Sequence, residues 1–312
     1  MYQLIHACQH GFLSGRSCVS QLVEVLDTTG LHLEIDRIFL DMSKTFDKVC
    51  HRKLIAKLTH YGLGGNLLRW FTSYLSNRKQ RATGSWGSSE SRSVTSGVPQ
   101  GSILGPMLFL LLANGLPGVV KSSHVAAFAD DTKIFKAIMS QNNVTELQQD
   151  LDKISNWADT THMVFNSTKS KAMRITRMRN PTESTYTLCG STLESTYCEK
   201  DLGVWISDNQ TWSRQLSEAC SKANKLLGFV RRNTRSIQSS RIKRCIYLAL
   251  MLPHLGYATQ VWAPQSKKLM RRVERVKCQA TKFILGPPFR CDISYQERLV
   301  RHAPLQLLAR IF

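Results

Sequence analysis

None of the nine cysteines stands in a CxxC pair, which argues against both a zinc knuckle and a disulfide framework. Thiols scattered in this way read as reduced, intracellular and mostly concerned with packing. Long apolar runs are missing as well. The most hydrophobic stretch, Ile103 to Val120, is interrupted by Gly105, Pro106, Asn114, Gly115 and Pro117 and falls short of a spanning helix. No membrane is therefore expected among the partners. The first residues carry Gln, His and Arg where a secretory signal needs unbroken apolar sequence. Internal repeats and low-complexity linkers are also lacking, so the 312 residues read as one continuous body with room for two or three packed subdomains. Acids are the last shortage. Only 22 Asp and Glu face 42 Lys and Arg, a formal net charge of +20, which argues against an ordinary enzyme of small metabolites and favours a polyanionic partner.

What is present is patterned. Ile35–Arg37–Ile38–Phe39–Leu40 reads as a buried strand ending at Asp41. Leu54 to Leu75 reads as two helices broken at Gly62–Leu63–Gly64–Gly65, and Leu104 to Ala113 as a further helix. Val125 to Phe128, a turn through Ala129–Asp130–Asp131, and Thr132 to Phe135 suggest a hairpin. Apolar residues at 144, 147, 151, 154 and 157 mark a helix burying one face. Short β-like pieces follow around Val164, Ala172 to Ile175, Tyr186 to Leu188 and Leu202 to Ile206. Between Arg214 and Lys282 basic residues abound and the acids are Glu218 and Glu274 alone. That stretch has helical periodicity through Leu226, Leu227, Val230, Ile242, Ile246, Leu250, Leu269, Val273 and Val276, which predicts a bundle of basic helices. Lys and Arg that merely solvate helix faces would look the same.

Asp41 at a strand end and Asp130–Asp131 in a hairpin tip form a pattern with chemical meaning. Two-metal phosphoryl transfer needs carboxylates from separate elements brought together. Mg²⁺ suits the task because it takes a few hard oxygens and leaves other positions for phosphates and water. Adjacent acids in an apolar hairpin repel each other, and bound cations relieve that cost. Asp is also a common turn residue, so the dipeptide alone decides nothing.

The surrounding motifs decide it. Phe39–Leu40–Asp41–Met42–Ser43–Lys44–Thr45–Phe46–Asp47–Lys48–Val49, then Ser96–Gly97–Val98–Pro99–Gln100–Gly101–Ser102–Ile103–Leu104–Gly105–Pro106, then Phe128–Ala129–Asp130–Asp131 occur in this order. Together they closely resemble the reverse transcriptases of non-LTR retrotransposons, the LINE and jockey-like elements. Gln9–His10–Gly11–Phe12 with Gly15–Arg16–Ser17 resembles their fingers motif, Phe165–Asn166–Ser167–Thr168–Lys169 a later palm motif, and Asp201–Leu202–Gly203–Val204 the primer-grip strand. Pro253–His254–Leu255 to Val261–Trp262, with Gln279–Ala280–Thr281–Lys282, resembles the thumb and post-thumb region.

The resemblance implies an α+β right-hand polymerase, an RNA-directed DNA polymerase acting on an RNA template, a DNA primer and dNTPs. Its palm would be a small antiparallel sheet backed by helices, with partial fingers over residues 1–34, palm over 35–210 and a basic helical thumb over 211–312. Asp41, Asp130 and Asp131 would hold two Mg²⁺ ions, with Mn²⁺ as a substitute, Asp131 being the less essential. Phe46 would be a steric gate against ribose, although a core aromatic would suit the position too, and Asp47 would equally suit a cap for a helix starting near His51. Gly97, Pro99, Gln100 and Gly101 would form a substrate loop, with Gln100 touching a template base or sugar edge. Lys169, with Lys171 as competitor, would protonate the departing pyrophosphate, and Arg16 would touch template or nucleotide. Basic helices would grip the duplex through its phosphates, and nuclear action follows from the same resemblance.

Some positions depart from the family. Its members extend further upstream than the eight residues before Gln9, its Asn-Asp-Leu-Pro reads Asn114–Gly115–Leu116–Pro117 here, and a Trp that partners Trp157 is replaced around His162. An N-terminally truncated copy is the expectation, and a silent nucleic-acid-binding relic is the alternative function.

Overall fold

The strand β1, Glu34–Leu40, is the axis on which the first part of the molecule is assembled. The structure, a computed structural model, describes residues 4–30, 32–176, 178, 182–264 and 266–286. It divides into two units, one ending at Tyr197 and one starting at Cys198. In the first, β1 follows α1 (Cys18–Gly30) and precedes α2 (His51–His60) and α3 (Gly65–Leu75). Four two-residue strands come next, β2 (Lys79–Gln80), β3 (Thr83–Gly84), β4 (Gly87–Ser88) and β5 (Arg92–Ser93), then α4 (Leu104–Ala113) and α5 (Leu116–Val119). β6 (His124–Phe128), β7 (Asp131–Ala137), α6 (Gln141–Thr161), β8 (Lys171–Thr176), β9 (Thr187–Leu188), β10 (Ser191–Thr192) and β11 (Glu194–Ser195) complete the unit.

Five strands form one sheet in the order β11-β8-β1-β7-β6. β1 runs antiparallel to both neighbours, with Ile38 opposite Ile134 of β7 and Ala172 of β8. The sheet is small and helix-backed as expected, but not wholly antiparallel: the β9–β10 hairpin returns the chain so that β11 joins β8 in parallel. Side chains alternate across the pleat. Ile38, Leu40 and Ile134 enter the main core with Leu108 and Phe109 of α4 and Leu147, Leu151 and Ile154 of α6. On the other face Ile35 packs with Val25 of α1, Ala126 and Phe135. Burial on both faces explains why β1 reads as an apolar run rather than an alternation.

α6 buries Val144, Leu147, Leu151, Ile154 and Trp157, the expected stripe, between a Ser140–Asn143 capping box and His162 in the left-handed conformation at φ +59°. His162 is therefore a helix cap and not an aromatic partner for Trp157. The lost family acid also has a visible counterpart. A Cβ built on Gly115 would lie 3.1 Å from the Trp157 indole Nε1 and 3.3 Å from Lys57 Nζ, so two donors converge where the acid is missing.

Buried Asp36 accepts from Arg174 Nε at 2.9 Å and Nη2 at 3.0 Å, from Ser184 Oγ at 2.8 Å and from Tyr186 Oη at 2.6 Å. Burial, with Asp36 alongside, pushes the Tyr186 phenol well above its ordinary range, so it stays a donor at all working pH values. These bonds tie β1, β8 and the segment before β9 together.

The second unit opens with a hairpin, β12 (Cys198–Asp201) and β13 (Val204–Ser207), which places these strands with the helices that follow. These are α7 (Ser213–Asn233), α8 (Ser240–Ile246), a π-helical segment (Tyr247–Met251), α9 (Leu252–Gly256), α10 (Thr259–Trp262) and α11 (Lys267–Leu285). Tyr257 Oη donates to Leu202 O at 2.7 Å, docking the hairpin turn on the helices. Leu227, Val230, Val273 and Val276 are buried as the periodicity requires, but Ile242 and Leu250 are exposed. The π-helical segment inserts a wider turn, and Tyr247 and Met251 take the core positions against Leu227 and Ala280. No helix among the described residues is long and apolar enough to cross a membrane. Among the free thiols of the described residues Cys220 is buried, Cys8, Cys18, Cys50 and Cys198 are half-buried, and Cys189 and Cys245 are exposed, so most but not all of these have packing contacts.

Asp150 on α6 is fully buried and accepts from the Lys121 and Ser122 amides at 3.0 and 2.9 Å and from Lys153 Nζ at 2.8 Å. Burial pushes its carboxyl up, but the ammonium and the two amides outweigh it and hold the group below the usual 3.8. A depressed carboxylate contributes stability above its unfolded pKa and loses it as pH falls through the folded one. Asp150→Asn is expected to lower urea stability at pH 7, with the deficit shrinking as pH drops below the ordinary aspartate range. A deficit of the same size at pH 7 and pH 2.5 would show that the charge contributes nothing.

Candidate active site

Asp41 follows the last residue of β1. Leu40 pairs with Thr132, and Phe128 pairs with Asp131 across the β6–β7 hairpin, so the ladder brings Asp41 beside the Ala129–Asp130 turn. Its backbone is held on the other side: Asp41 N donates to Ser170 Oγ at 3.0 Å and Asn166 N donates to Asp41 O at 2.8 Å. Asp130 is half-buried and its Oδ2 lies 3.2 Å from Thr45 Oγ1. Asp131, the first residue of β7, is exposed. The adjacent acids thus occupy different settings. Among the described residues no three His, Cys, Asp or Glu side chains converge as a ready-made metal cage. Two hard carboxylates at neighbouring strand ends fit a cation that takes its other ligands from substrate and water.

The turn itself is strained. Ala129 has φ +58°, which costs a residue with a Cβ ~1–2 kcal/mol. Gln9 meets it with a two-way pairing: Ala129 N donates to Gln9 Oε1 at 2.8 Å and Gln9 Nε2 donates to Ala129 O at 3.3 Å. Gly11 N donates to the same Oε1 at 2.7 Å. Backbone bonds continue the contact, His10 N to Ala127 O at 2.8 Å and Ala127 N to Cys8 O at 3.0 Å. Only glycine fits at position 11, where a Cβ would stand 2.3 Å from Ala129 N.

The loop after β5 is fastened to the segment that follows Asp41. Gly97 N donates to Val49 O at 2.8 Å, Val98 N to Phe46 O at 2.9 Å and Ser96 Oγ to Asp47 O at 2.9 Å. Gly97 has φ +89°, and a Cβ there would lie 2.8 Å from Asp47 O. Its own carbonyl accepts from Arg78 Nη1 at 3.4 Å and sits 2.7 Å from His51 Nε2. Gln100 Nε2 donates to Asp47 Oδ1 at 2.9 Å. Asp47 is therefore a loop tether. It is not a cap for α2, whose N-cap is Cys50 without a side-chain bond. Pro99 is half-buried and Gly101 exposed. Phe46 is half-buried, its ring 5.3 Å from that of Phe109, so the core contact anticipated for it exists and still leaves part of the ring uncovered.

Lys169 is exposed in the turn that Asn166 closes, one residue before Ser170 and its bond to Asp41. Its competitor Lys171 is paired with Glu194 at 2.7 Å. Arg16 faces His10 and Glu24, with Nη1 3.0 Å from His10 Nε2 and 3.8 Å from Glu24 Oε2. Burial and the Arg16 guanidinium push His10 below the usual histidine range. Thr45 bonds the Asp130 carboxylate, the 166–170 turn holds the Asp41 backbone, Gly97 is fastened to Val49 and Gln100 to the Asp47 carboxylate. Sequence reasoning passed over Thr45, Ser170, His51 and Arg78, whose side chains hold backbone or carboxylate through contacts between distant segments. Gln9 was visible only as part of a motif.

Three relatives and one solved structure set these features in context. A "Probable RNA-directed DNA polymerase from transposon X-element" of Drosophila melanogaster is 25% identical over 289 residues, covering 89% of this chain and 32% of its own length. The "RNA-directed DNA polymerase from mobile element jockey" of Drosophila funebris is 27% identical over 266 residues, covering 80% of this chain and 28% of its own length. A "Putative 115 kDa protein in type-1 retrotransposable element R1DM" of Drosophila melanogaster is 23% identical over 283 residues, 87% of this chain and 27% of its own. The chain spans about a third of the length of these relatives. Telomerase from Candida albicans, solved with the TWJ fragment of telomeric RNA, superposes with a TM-score of 0.49 at 10% identity over 92% of this chain and 52% of its own. Residues 1–229 match the family model described as reverse transcriptase (RNA-dependent DNA polymerase), and the chain belongs to that family.

Proposed function

We propose that this chain is the RNA-directed DNA polymerase domain of a non-LTR retrotransposon, adding dNTPs to a DNA primer on an RNA template. The observation that carries the reading is the placement of Asp41 beside the Asp130 turn by strand register. Residues 1–34 are read as partial fingers, 35–210 as palm and 211–312 as a basic thumb for primer–template phosphates. Nuclear action follows from priming on chromosomal DNA, which the resemblance implies. Support for polymerase over silent relic comes from the intact carboxylate setting and from the substrate loop, which is bonded in place.

Asp41 and Asp130, with Asp131 as the lesser neighbour, would hold two Mg²⁺ ions, or Mn²⁺ in their place. When bound, these supply Lewis acidity at the attacking and leaving oxygens. Asp41 and Asp130 would hold that charge where the primer hydroxyl and triphosphate meet, and Thr45 Oγ1 donates to Asp130 Oδ2. The Phe46 ring, braced on Phe109, would stand against a ribose 2′-OH. Gly97, Pro99 and Gly101 would let the nucleotide approach backbone, and Gln100 would line the template side from its tether on Asp47. Lys169 would give a proton to the departing pyrophosphate, and Arg16, oriented by His10, would contact template or nucleotide.

Primer extension on RNA with Mg²⁺ is expected to depend on both acids. Asp41→Ala or Asp130→Ala should cost several kcal/mol of transition-state stabilisation, roughly 10³-fold in kcat, and extension that persists in either variant would exclude the site. Phe46→Val is expected to raise rNTP relative to dNTP incorporation by on the order of tenfold or more. An unchanged ratio in competition assays would remove the gate. Gly97→Ala, forced against Asp47 O, should lower kcat/KM for dNTP by on the order of 100-fold through misplacement of the loop. Wild-type nucleotide kinetics would place the loop outside the substrate site.

A further inference from the structure

We infer that Gln9 is a positioning residue for Asp130, acting through its amide pairing with Ala129. This rests on the reading of Asp130 as a metal-binding carboxylate. A cavity of about 20 Å³ adjoins Ala129, with His6, Gln9, Met42, Asn114 and Thr132 among its lining residues. That volume holds about one water, so packing on that side of Ala129 is incomplete. Ala129 at φ +58° does not favour its own conformation either. The peptide groups of Ala129 itself are met by the Gln9 side chain, which is 7% exposed and bonded to both the N–H and the C=O of Ala129.

A primary amide is the group this geometry requires. Its oxygen accepts two backbone N–H groups, from Ala129 and Gly11, while its nitrogen donates to the Ala129 carbonyl. Glutamate could accept both N–H groups, but its second oxygen would face that carbonyl and add negative charge one residue from Asp130. Asparagine is one methylene too short to span from the position 9 backbone. The backbone bridge between Gln9 and Ala127 fixes where the side chain starts, and the absent Cβ at Gly11 allows the close approach. The segment resembling a fingers motif therefore acts, through Gln9, as a brace on the carboxylate hairpin.

Four full-length proteins test this: wild type, Gln9→Ala, Gln9→Glu, and the double variant Gln9→Ala with Ala129→Gly. Single-turnover primer extension gives the rate and the dNTP KM, binding to a fixed RNA–DNA duplex gives Kd, and hydrogen exchange follows the amides of residues 129–131. Gln9→Ala is expected to lower the incorporation rate at least tenfold, with duplex Kd within twofold, and to speed exchange at Ala129 at least tenfold. Gln9→Glu should be impaired at least as much, because its second carboxylate oxygen cannot donate to the Ala129 carbonyl. In the double variant, glycine accepts the positive φ without the brace, and most of the rate is expected to return. Loss of rate without rescue by Ala129→Gly, or unchanged exchange at Ala129 in Gln9→Ala, would overturn the inference. An Asp130→Ala control that still polymerises would instead overturn the assignment of Asp130, while the exchange data would still decide the Gln9 brace.

Discussion

β1 is hydrogen-bonded to β7 on one side and β8 on the other, and the placement of Asp41 beside the carboxylate hairpin traces back to that double pairing. Because side-chain period along a strand is two, a one-residue slip would send Ile38 and Leu40 out of the core and turn Asp41 away from the hairpin. The buried network around Asp36 opposes such a slip. Its bonds to Arg174, Ser184 and Tyr186 are satisfied in one register only, and breaking them would leave a carboxylate buried without compensation. Stability and chemistry therefore rest on the same strand, one end anchored by charge and the other presenting Asp41.

Around that strand the site is held together by backbone contacts from remote segments more than by side-chain packing. Gln9 and Gly11 press on the Ala129 turn, Ser170 and Asn166 hold Asp41, and Gly97 lies against Asp47. Each contact ends on main chain, Gln9 and Ser170 reaching it with their side chains, and two of them need a glycine with no Cβ in the way. This is an economical way to place carboxylates, since backbone groups have few alternative conformations once paired. It also leaves strain at Ala129, a pattern found where structure over-determines a functional position.

The helical unit follows a different logic. Its core is a stripe on α7 and α11, closed by Tyr247 and Met251 across a π-helical turn. The basic side chains decorate the solvent faces, as both readings of the charge pattern required. Charge density on those faces suits phosphate contacts that are independent of sequence, a property that weakens steeply with salt.

Much was legible in the sequence, and for identifiable reasons. Local periodicity exposed β1, α2 to α4, the hairpin and α6, because each buries one face or both against neighbours. The ordered motifs marked Asp41, Asp130 and the 97–101 loop. Tertiary structure alone decided the rest. Asp47 tethers Gln100 instead of capping α2, Lys171 is occupied by Glu194 while Lys169 is not, and Tyr247 and Met251 fill the core while Ile242 and Leu250 are exposed. The roles of Thr45, Ser170, His51 and Arg78 likewise depend on contacts with distant segments or with turns whose shape no periodicity encodes. Gln9 is the sharpest case. Its residue type could be read at once, but its partner stands 120 positions away, and only the folded chain brings the amide to the peptide groups of Ala129.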